Sequence, residues 1–223
     1  MVIHAAARHA PHIGLVDDEE FRAVNVGATA ALLDDAETAG VRRFVYISST
    51  SVYGDALVPT DRAVWVDENL PPRPRDIYDE TKLAAEELVT ASAGTWLILR
   101  IARCFPEPLP VLAAHLLHRA VRLDDVATAT ARAVAHDAVV GIFNVAGQYP
   151  FTRTDCVALL EDAASVIAKR APAVAAAFHD RGWSLPRTID RVYDSSAAAK
   201  AFGYHPSEGV LRLLHETPAR RDS

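Results

Sequence analysis

The fold is decided by the stretch Arg42-Arg43-Phe44-Val45-Tyr46-Ile47-Ser48-Ser49. Its apolar run is short and opens into a polar turn, which is typical of a buried strand. The carboxyl ends of such strands are where α/β proteins bind their ligands. We therefore predict an α/β fold and expect functional side chains at and just after Ser49.

Helical patterns lie on both sides of this strand. The first runs from about Glu19 to Ala39, with a stop at Gly40 and one apolar stripe made of Phe21, Val24, Ala28 and Leu32. The second begins after Asp76, a candidate N-cap that follows three prolines, and runs to about Val89. A strand at Trp96-Leu97-Ile98-Leu99 then closes a second βαβ unit, which favours a right-handed crossover.

The remaining chain predicts a rigid loop over Pro106–Pro110, a helix from Asp125 to about His136 and a strand at Ile142. After Thr152 the pattern is mostly helical. Thr154 is expected to cap a helix through Lys169 that ends at Pro172, and Ser195 or Ser196 to open a last short helix ending at Gly203. We predict a partial Rossmann-like, doubly wound parallel sheet over residues 1–148 and a small, mostly helical substrate-binding lobe over residues 149–223.

Tyr78 and Lys82 form a Tyr-x-x-x-Lys pair on the second helix, with Ser49 upstream. Residues four apart share a helix face, so a phenol and an ammonium can meet the same small molecule. A nearby ammonium favours the phenolate, and lowering a phenol pKa by about three units takes roughly 4 kcal/mol. A serine hydroxyl, from Ser49 or its neighbours Thr50 and Ser51, could hold the substrate oxygen during proton transfer. Alone the pair is a weak indication, because solvated helix faces often carry such pairs.

Composition narrows the class of protein. The 223 residues are half hydrophobic and carry a net charge of -6, so no basic surface favours nucleic acid or acidic lipid. We expect no membrane span and no export signal, and hence a cytoplasmic protein. Cys104 and Cys156 have no metal or redox spacing, and His4, His9 and His12 lack a matching carboxylate or thiol cluster. No metal is expected.

Several segments resemble, in order and spacing, the extended short-chain dehydrogenase/reductase family, in particular its NAD-dependent epimerase/dehydratase group. The resemblance covers residues 1 to about 100 and is looser afterwards. The matching segments are Val2-Ile3-His4-Ala5-Ala6-Ala7, Asn25-Val26-Gly27-Ala28-Thr29, residues 40–49, Ser51-Val52-Tyr53-Gly54, Glu68 with its prolines, Tyr78-Asp79-Glu80-Thr81-Lys82, Glu86, Leu99-Arg100, Asp124-Asp125-Val126-Ala127 and Phe202-Gly203-Tyr204-His205-Pro206.

This resemblance implies a role for each candidate residue. Ser49, by its register before Val52, orients the substrate oxygen, Tyr78 is the acid/base, and Lys82 lowers the tyrosine pKa and bonds the nicotinamide ribose. Ala5 and Ala6 are implied to lie against the cofactor, which is NAD or NADP. The implied reaction is oxidoreductase, epimerase or dehydratase chemistry on the hydroxyl or carbonyl of a small molecule such as a sugar or nucleotide sugar. The family also implies a homodimer paired through helices at 19–39 and 78–92.

The chain departs from the family pattern in its first part. The sequence has no Gly-x-x-Gly-x-x-Gly turn of the kind that binds a cofactor pyrophosphate at a helix N-terminus. Val2 matches the family's fourth strand, so we expect about two βαβ units to be absent. Arg103 replaces a family asparagine, and Arg119 lies one position from a phosphate-binding arginine. The alternative hypothesis is therefore a truncated, catalytically incompetent homologue or interaction protein that cannot bind a dinucleotide alone.

Overall fold

A computed structural model of the chain describes residues 1–217. Its main sheet has four parallel strands in the order β1-β2-β4-β5, and β3 pairs with β6 in a second, two-stranded parallel sheet. The strands are β1 (Val2–His4), β2 (Arg43–Ser49), β3 (Val64–Val66), β4 (Thr95–Ile101), β5 (Gly141–Val145) and β6 (Arg191–Tyr193). The predicted Rossmann-like parallel sheet is confirmed.

Helices connect and cover these strands. Within residues 1–217 the α-helices are α1 (Asp18–Arg22), α2 (Ala28–Thr38), α3 (Ile77–Ala91), α4 (Leu109–His115), α5 (Leu123–Ala135), α6 (Cys156–Arg170), α7 (Pro172–Asp180), α8 (Ser196–Phe202) and α9 (Gly209–Glu216). Helix α3 packs against both β2 and β4, which places its first turns beside the carboxyl end of β2. This packing positions the candidate site.

Strand register brings the functional ends of the strands to one edge. In the β2–β4 pair, Arg43 lies opposite Thr95 and Ser49 lies opposite Ile101. The central residues Val45 and Leu97 are fully buried, so helices cover the sheet at its centre. Because parallel strands end at the same edge, the polar turn after β2 opens at the edge where ligands bind in this class of fold.

The first predicted helix has a different buried face from the one expected. A π-helical turn at Ala23–Gly27 separates α1 from α2. The extra residue in that turn shifts the inward stripe, so the polar residues Asn25 and Thr29 are buried and Ala28 is exposed. The predicted stripe was therefore correct at Phe21 and wrong at Ala28.

The C-terminal half corrects three further predictions. Thr152, and not Thr154, begins the helical segment, because its backbone and hydroxyl both hydrogen-bond to Asp155. Pro172 does end α6, but it also opens α7, where its missing N–H is tolerated. The helix ending at Gly203 is followed by α9, so it is not the last one. The loop predicted over Pro106–Pro110 is replaced by α4 from Leu109 onward.

The second sheet was not predicted from the sequence. It joins Val64–Val66, before α3, to Arg191–Tyr193, far along the chain. The hydrophobic cluster beside it combines Ala63 and Leu117 with residues of the C-terminal helices such as Leu159. The lobe boundary at 148/149 stays a prediction.

A tight turn follows the central strand. Gly54 has φ 47°, in the left-handed region, and a Cβ added there would overlap the carbonyl oxygen of Arg73. The same carbonyl accepts a hydrogen bond from the Asp55 amide at 2.8 Å. This contact ties the turn after β2 to the segment that leads into α3.

Within the part of the chain that the structure describes, no helix has both the length and the apolar character needed to cross a membrane.

Candidate active site

Ser49 ends β2 and faces the polar turn. Its backbone is extended, with φ -139° and ψ 144°, and its Oγ accepts a hydrogen bond from the Ser51 amide at 3.1 Å. The preceding residue, Ser48, points to the opposite side, as successive strand residues do, and donates its hydroxyl to Glu86. The strand thus presents one serine to the open edge and one to a buried carboxylate.

Tyr78 and Lys82 lie in the first turns of α3. The predicted cap is confirmed, because the Asp76 carboxylate accepts a hydrogen bond from the Asp79 amide at 2.9 Å. This cap fixes the start of the helix and therefore the positions of Tyr78 and Lys82. The Ser49 hydroxyl is close enough to the Tyr78 phenol to lower its pKa. The structure therefore brings two of the three predicted catalytic groups to the same part of the edge.

Lys82 is the most deeply buried of the three, with 2% of its surface exposed. Its ammonium donates a hydrogen bond to the Ile47 carbonyl at 2.7 Å and lies 4.0 Å from the centre of the Tyr46 ring. Burial lowers the pKa of Lys82 to about 7, and the Glu86 carboxylate opposes that change. Lys82 can therefore change its charge near neutral pH.

Tyr78 is protonated in the free protein. Burial raises the pKa of the Tyr78 phenol, the Ser49 hydroxyl lowers it, and the nearby Asp79 carboxylate raises it. A protonated phenol is suited to donate a proton to a carbonyl oxygen. Ser49 is the neighbour that lowers this pKa here, and the action of Lys82 on Tyr78 stays a prediction.

Behind these residues lies a buried ion pair that the sequence interpretation did not assign to the site. The Arg100 guanidinium donates to both carboxylate oxygens of Glu86, with Nη2 to Oε2 at 2.7 Å and Nε to Oε1 at 3.1 Å. Glu86 and Arg100 are 2% and 3% exposed. A sequence signal did exist, since Glu86 follows Lys82 by four residues and shares its helix face.

Ala5 and Ala6 follow β1 directly and are exposed. Strand β1 pairs in parallel with β2, His4 lying opposite Tyr46, so the two alanines lie at the edge that carries Ser49. Their methyl side chains leave room for a bound group to approach the backbone. The structure thus places both predicted cofactor residues at the expected edge, and their contact with a cofactor stays a prediction.

An ammonium has three donors, and within residues 1–217 the Lys82 ammonium has one protein acceptor, the Ile47 carbonyl. A buried donor group with unused capacity fits the hydroxyls of a ribose. The residues present are therefore compatible with the nicotinamide half of NAD or NADP.

The other residues singled out in the sequence have ordinary partners. His4 Nε2 lies 2.9 Å from the Thr29 hydroxyl, and Arg103 forms an ion pair with Glu107 at 2.7 Å. Arg119 lies against His115. Across residues 1–217 no group of three or more histidine, cysteine or acidic side chains could hold a metal ion.

Comparison with known proteins finds a family match within the N-terminal 106 residues. The model described as "NAD dependent epimerase/dehydratase family" matches residues 1–106. This segment contains the edge strand β1, the strand β2 and the whole of α3. It therefore includes Ser49, Tyr78 and Lys82.

Curated relatives match over a similar segment. The chain is 36% identical over 93 residues to UDP-glucose 4-epimerase of Streptomyces lividans, covering 42% of this chain and 27% of that protein. It is 40% identical over 99 residues to 3 beta-hydroxysteroid dehydrogenase/Delta 5-->4-isomerase of Mycobacterium tuberculosis, covering 42% of this chain and 26% of that protein. The chain thus matches about a quarter of the length of these relatives.

Solved structures share the fold. A short-chain dehydrogenase/reductase superfamily protein from Agrobacterium tumefaciens, crystallised with bound NAD, superposes with a TM-score of 0.65 at 21% identity. The match covers 96% of this chain and 76% of that one. The likeness therefore extends beyond residue 106 to both sheets and the C-terminal helices.

Proposed function

We propose that this chain is a member of the NAD-dependent epimerase/dehydratase group of the extended short-chain dehydrogenase/reductase family, as the match over residues 1–106 supports, and that it takes part in NAD(P)-dependent oxidation and reduction at a substrate carbon that carries a hydroxyl or carbonyl. The reaction class is that of the epimerases, dehydratases and reductases of this family. The site proposed for it consists of Ser49, Tyr78 and Lys82.

One observation carries the proposal. The Lys82 ammonium is buried at the carboxyl edge of the parallel sheet with a single protein acceptor among residues 1–217, one helical turn from Tyr78, whose pKa the Ser49 hydroxyl lowers. Burying a lysine with unused donors destabilises a protein, since its charged form loses hydration. A ligand that accepts hydrogen bonds from the unused donors of the ammonium would offset this destabilisation.

In the oxidation direction, Tyr78 accepts the proton of the substrate hydroxyl while Ser49 donates a hydrogen bond to the same oxygen. In the reduction direction, Tyr78 donates its proton to the carbonyl oxygen, which suits the protonated phenol of the free protein. Lys82 supports either step by stabilising negative charge on the phenol and by donating to ribose hydroxyls. NAD or NADP, when bound, supplies the hydride acceptor or donor.

The substrate is proposed to be a polar, hydroxylated small molecule, such as a sugar or nucleotide sugar. Support comes from the curated relative named UDP-glucose 4-epimerase, although another relative is named a hydroxysteroid dehydrogenase/isomerase. The proposed substrate class therefore rests on the similarity to UDP-glucose 4-epimerase. A cytoplasmic location, a homodimer and a substrate lobe over residues 149–223 complete the proposal.

Cofactor binding by the 223-residue chain tests this function. NADH and NADPH are titrated separately into the purified protein in a calorimeter, with Lys82→Met as the variant and Lys169→Met, an exposed lysine on α6, as the matched control. Saturable binding that Lys82→Met weakens and Lys169→Met leaves unchanged is expected.

The alternative predicts a different outcome. A truncated homologue or interaction protein that cannot bind a dinucleotide alone would give no saturable heat with either nucleotide. That result would overturn the proposed function for this chain and leave the non-catalytic hypothesis.

A further inference from the structure

We propose that Glu86 is a positioning residue that keeps the Lys82 side chain in its ammonium form. The inference deepens the proposed function, because the role of Lys82 rests on it. Glu86 itself is placed in the protein interior, one helical turn beyond Lys82, and we assign it no contact with substrate or cofactor.

The geometry of α3 supports this role. Lys82 and Glu86 are separated by four residues, which puts both side chains on the same helix face. Both are 2% exposed, so solvent screens their attraction only weakly. A buried carboxylate one turn from a buried ammonium is therefore positioned to favour its charged form.

The carboxylate of Glu86 is held in a fixed orientation. Arg100, from β4, donates to both of its oxygens, and the hydroxyl of Ser48, from β2, donates to Oε1. Two strands thus clamp a residue of the helix between them. The carboxylate cannot move from its place one helical turn beyond Lys82 without breaking a bidentate ion pair.

Each element packed around Lys82 contributes titratable or charged groups. Helix α3 supplies Tyr78 and Glu86, and β2 supplies Tyr46, whose ring lies under the ammonium. Strand β1 supplies His4, whose pKa is lowered by burial and by the Lys82 charge. Strand β4 supplies Arg100, already paired with Glu86. Within residues 1–217, Glu86 is the group among these that raises the pKa of Lys82.

Loss of the carboxylate would change the chemistry of the site. Burial lowers the pKa of Lys82 to about 7 even with Glu86 present. Without it, the side chain would be largely a neutral amine at pH 7. A neutral amine does not stabilise negative charge on the Tyr78 phenol. Glu86 thus acts on the reaction through Lys82.

The test is a direct titration of Lys82 in the free protein. The chain has three lysines, Lys82, Lys169 and Lys200, so a sample labelled with 13C at lysine Cε gives three signals whose shifts can be followed from pH 5 to 11. Lys82→Met assigns the signal of interest. Glu86→Gln is expected to move the Lys82 midpoint to lower pH by about one unit or more.

Two further variants sharpen the result. Glu87→Gln removes the same charge from the next residue, which is exposed, and is expected to leave the Lys82 midpoint unchanged. Because Glu86→Gln leaves Arg100 buried without its partner and could prevent folding, Glu86→Gln/Arg100→Met removes both charges together. The double variant is expected to lower the midpoint by a smaller amount, because it also removes the Arg100 charge that opposes the ammonium.

A Lys82 midpoint that stays at its wild-type value in either folded Glu86 variant would overturn the inference. An equal fall in Glu87→Gln would do the same, since the effect would then come from net charge. The titration requires no nucleotide and no substrate. A lowered midpoint without dinucleotide binding would therefore refute the proposed function alone, and normal binding with an unmoved midpoint would refute this inference alone.

Discussion

Replacing Lys82 by methionine is expected to stabilise the folded chain. Methionine has a similar length and no charge, so it fills the same space between α3 and the Tyr46 ring. The lysine, in contrast, loses most of its hydration on folding, because 2% of its surface is exposed in the folded chain. The charged form of Lys82 therefore lowers the free energy of unfolding of the chain.

The size of that cost follows from the pKa. Burial lowers the pKa of Lys82 from 10.5 to about 7, and the gap corresponds to about 5 kcal/mol. Methionine loses the hydrogen bond to the Ile47 carbonyl, which is worth about 1 kcal/mol. At pH 6 the variant should therefore unfold with a free energy about 3 to 4 kcal/mol higher than that of the wild type.

The pH dependence has a definite sign. Below about pH 7 Lys82 is protonated in both the folded and the unfolded chain, so the full destabilisation is present. Between about pH 7 and 10.5 the unfolded chain binds a proton that the folded chain has released, so the free energy of unfolding of the wild type rises with pH. The advantage of methionine should shrink over that interval.

Urea unfolding followed by circular dichroism at several pH values between 6 and 10 measures the difference. Lys169→Met, on the exposed face of α6, is the control and should stay within about 0.5 kcal/mol of the wild type. A Lys82→Met protein that is less stable than the wild type, or a difference that does not change with pH, would refute the reasoning.

Three other outcomes are expected. Arg43→Met should lower the free energy of unfolding in urea by about 3 kcal/mol, because the buried guanidinium donates to three carbonyls at the end of α5 and just beyond it. Arg42→Met, at an exposed position, should change that free energy little. Equal losses of stability in the two variants would contradict this account. Gly54→Ala should cost more than about 3 kcal/mol, whereas Gly40→Ala, also at positive φ but with open space at its Cβ, should cost about 1 kcal/mol; similar thermal unfolding midpoints would contradict the clash. Tyr78→Phe in an active enzyme should abolish turnover with NADH affinity nearly intact, and full activity would exclude Tyr78 as the acid/base.

The strands of the main sheet and the helix of the site could be predicted because their signals are local. The apolar run before Ser49 identified β2, and the prolines before Asp76 together with its capping side chain identified the start of α3. Since spacing on a helix and order along a strand are fixed by backbone geometry, Tyr78 and Lys82 could be placed on one face from sequence alone.

What could not be predicted depends on contacts between distant segments. The pairing of Val64–Val66 with Arg191–Tyr193 joins two three-residue strands, too short for a periodic pattern. The π-helical turn before α2 changes which face of the helix is buried. The first four residues of that turn contain no glycine or proline that would have indicated the irregularity. The ion pair of Glu86 with Arg100 likewise joins a helix to a strand, and only its spacing from Lys82 was visible.

The most direct test of the site is the Lys82 signal itself during a titration with NADH. If the nicotinamide ribose accepts hydrogen bonds from the ammonium, saturation with NADH should shift the 13Cε resonance of Lys82 and raise its pKa above about 7. The resonances of Lys169 and Lys200 should not move. Binding of NADH that leaves the Lys82 resonance and its titration unchanged would contradict the assignment of this site to the cofactor.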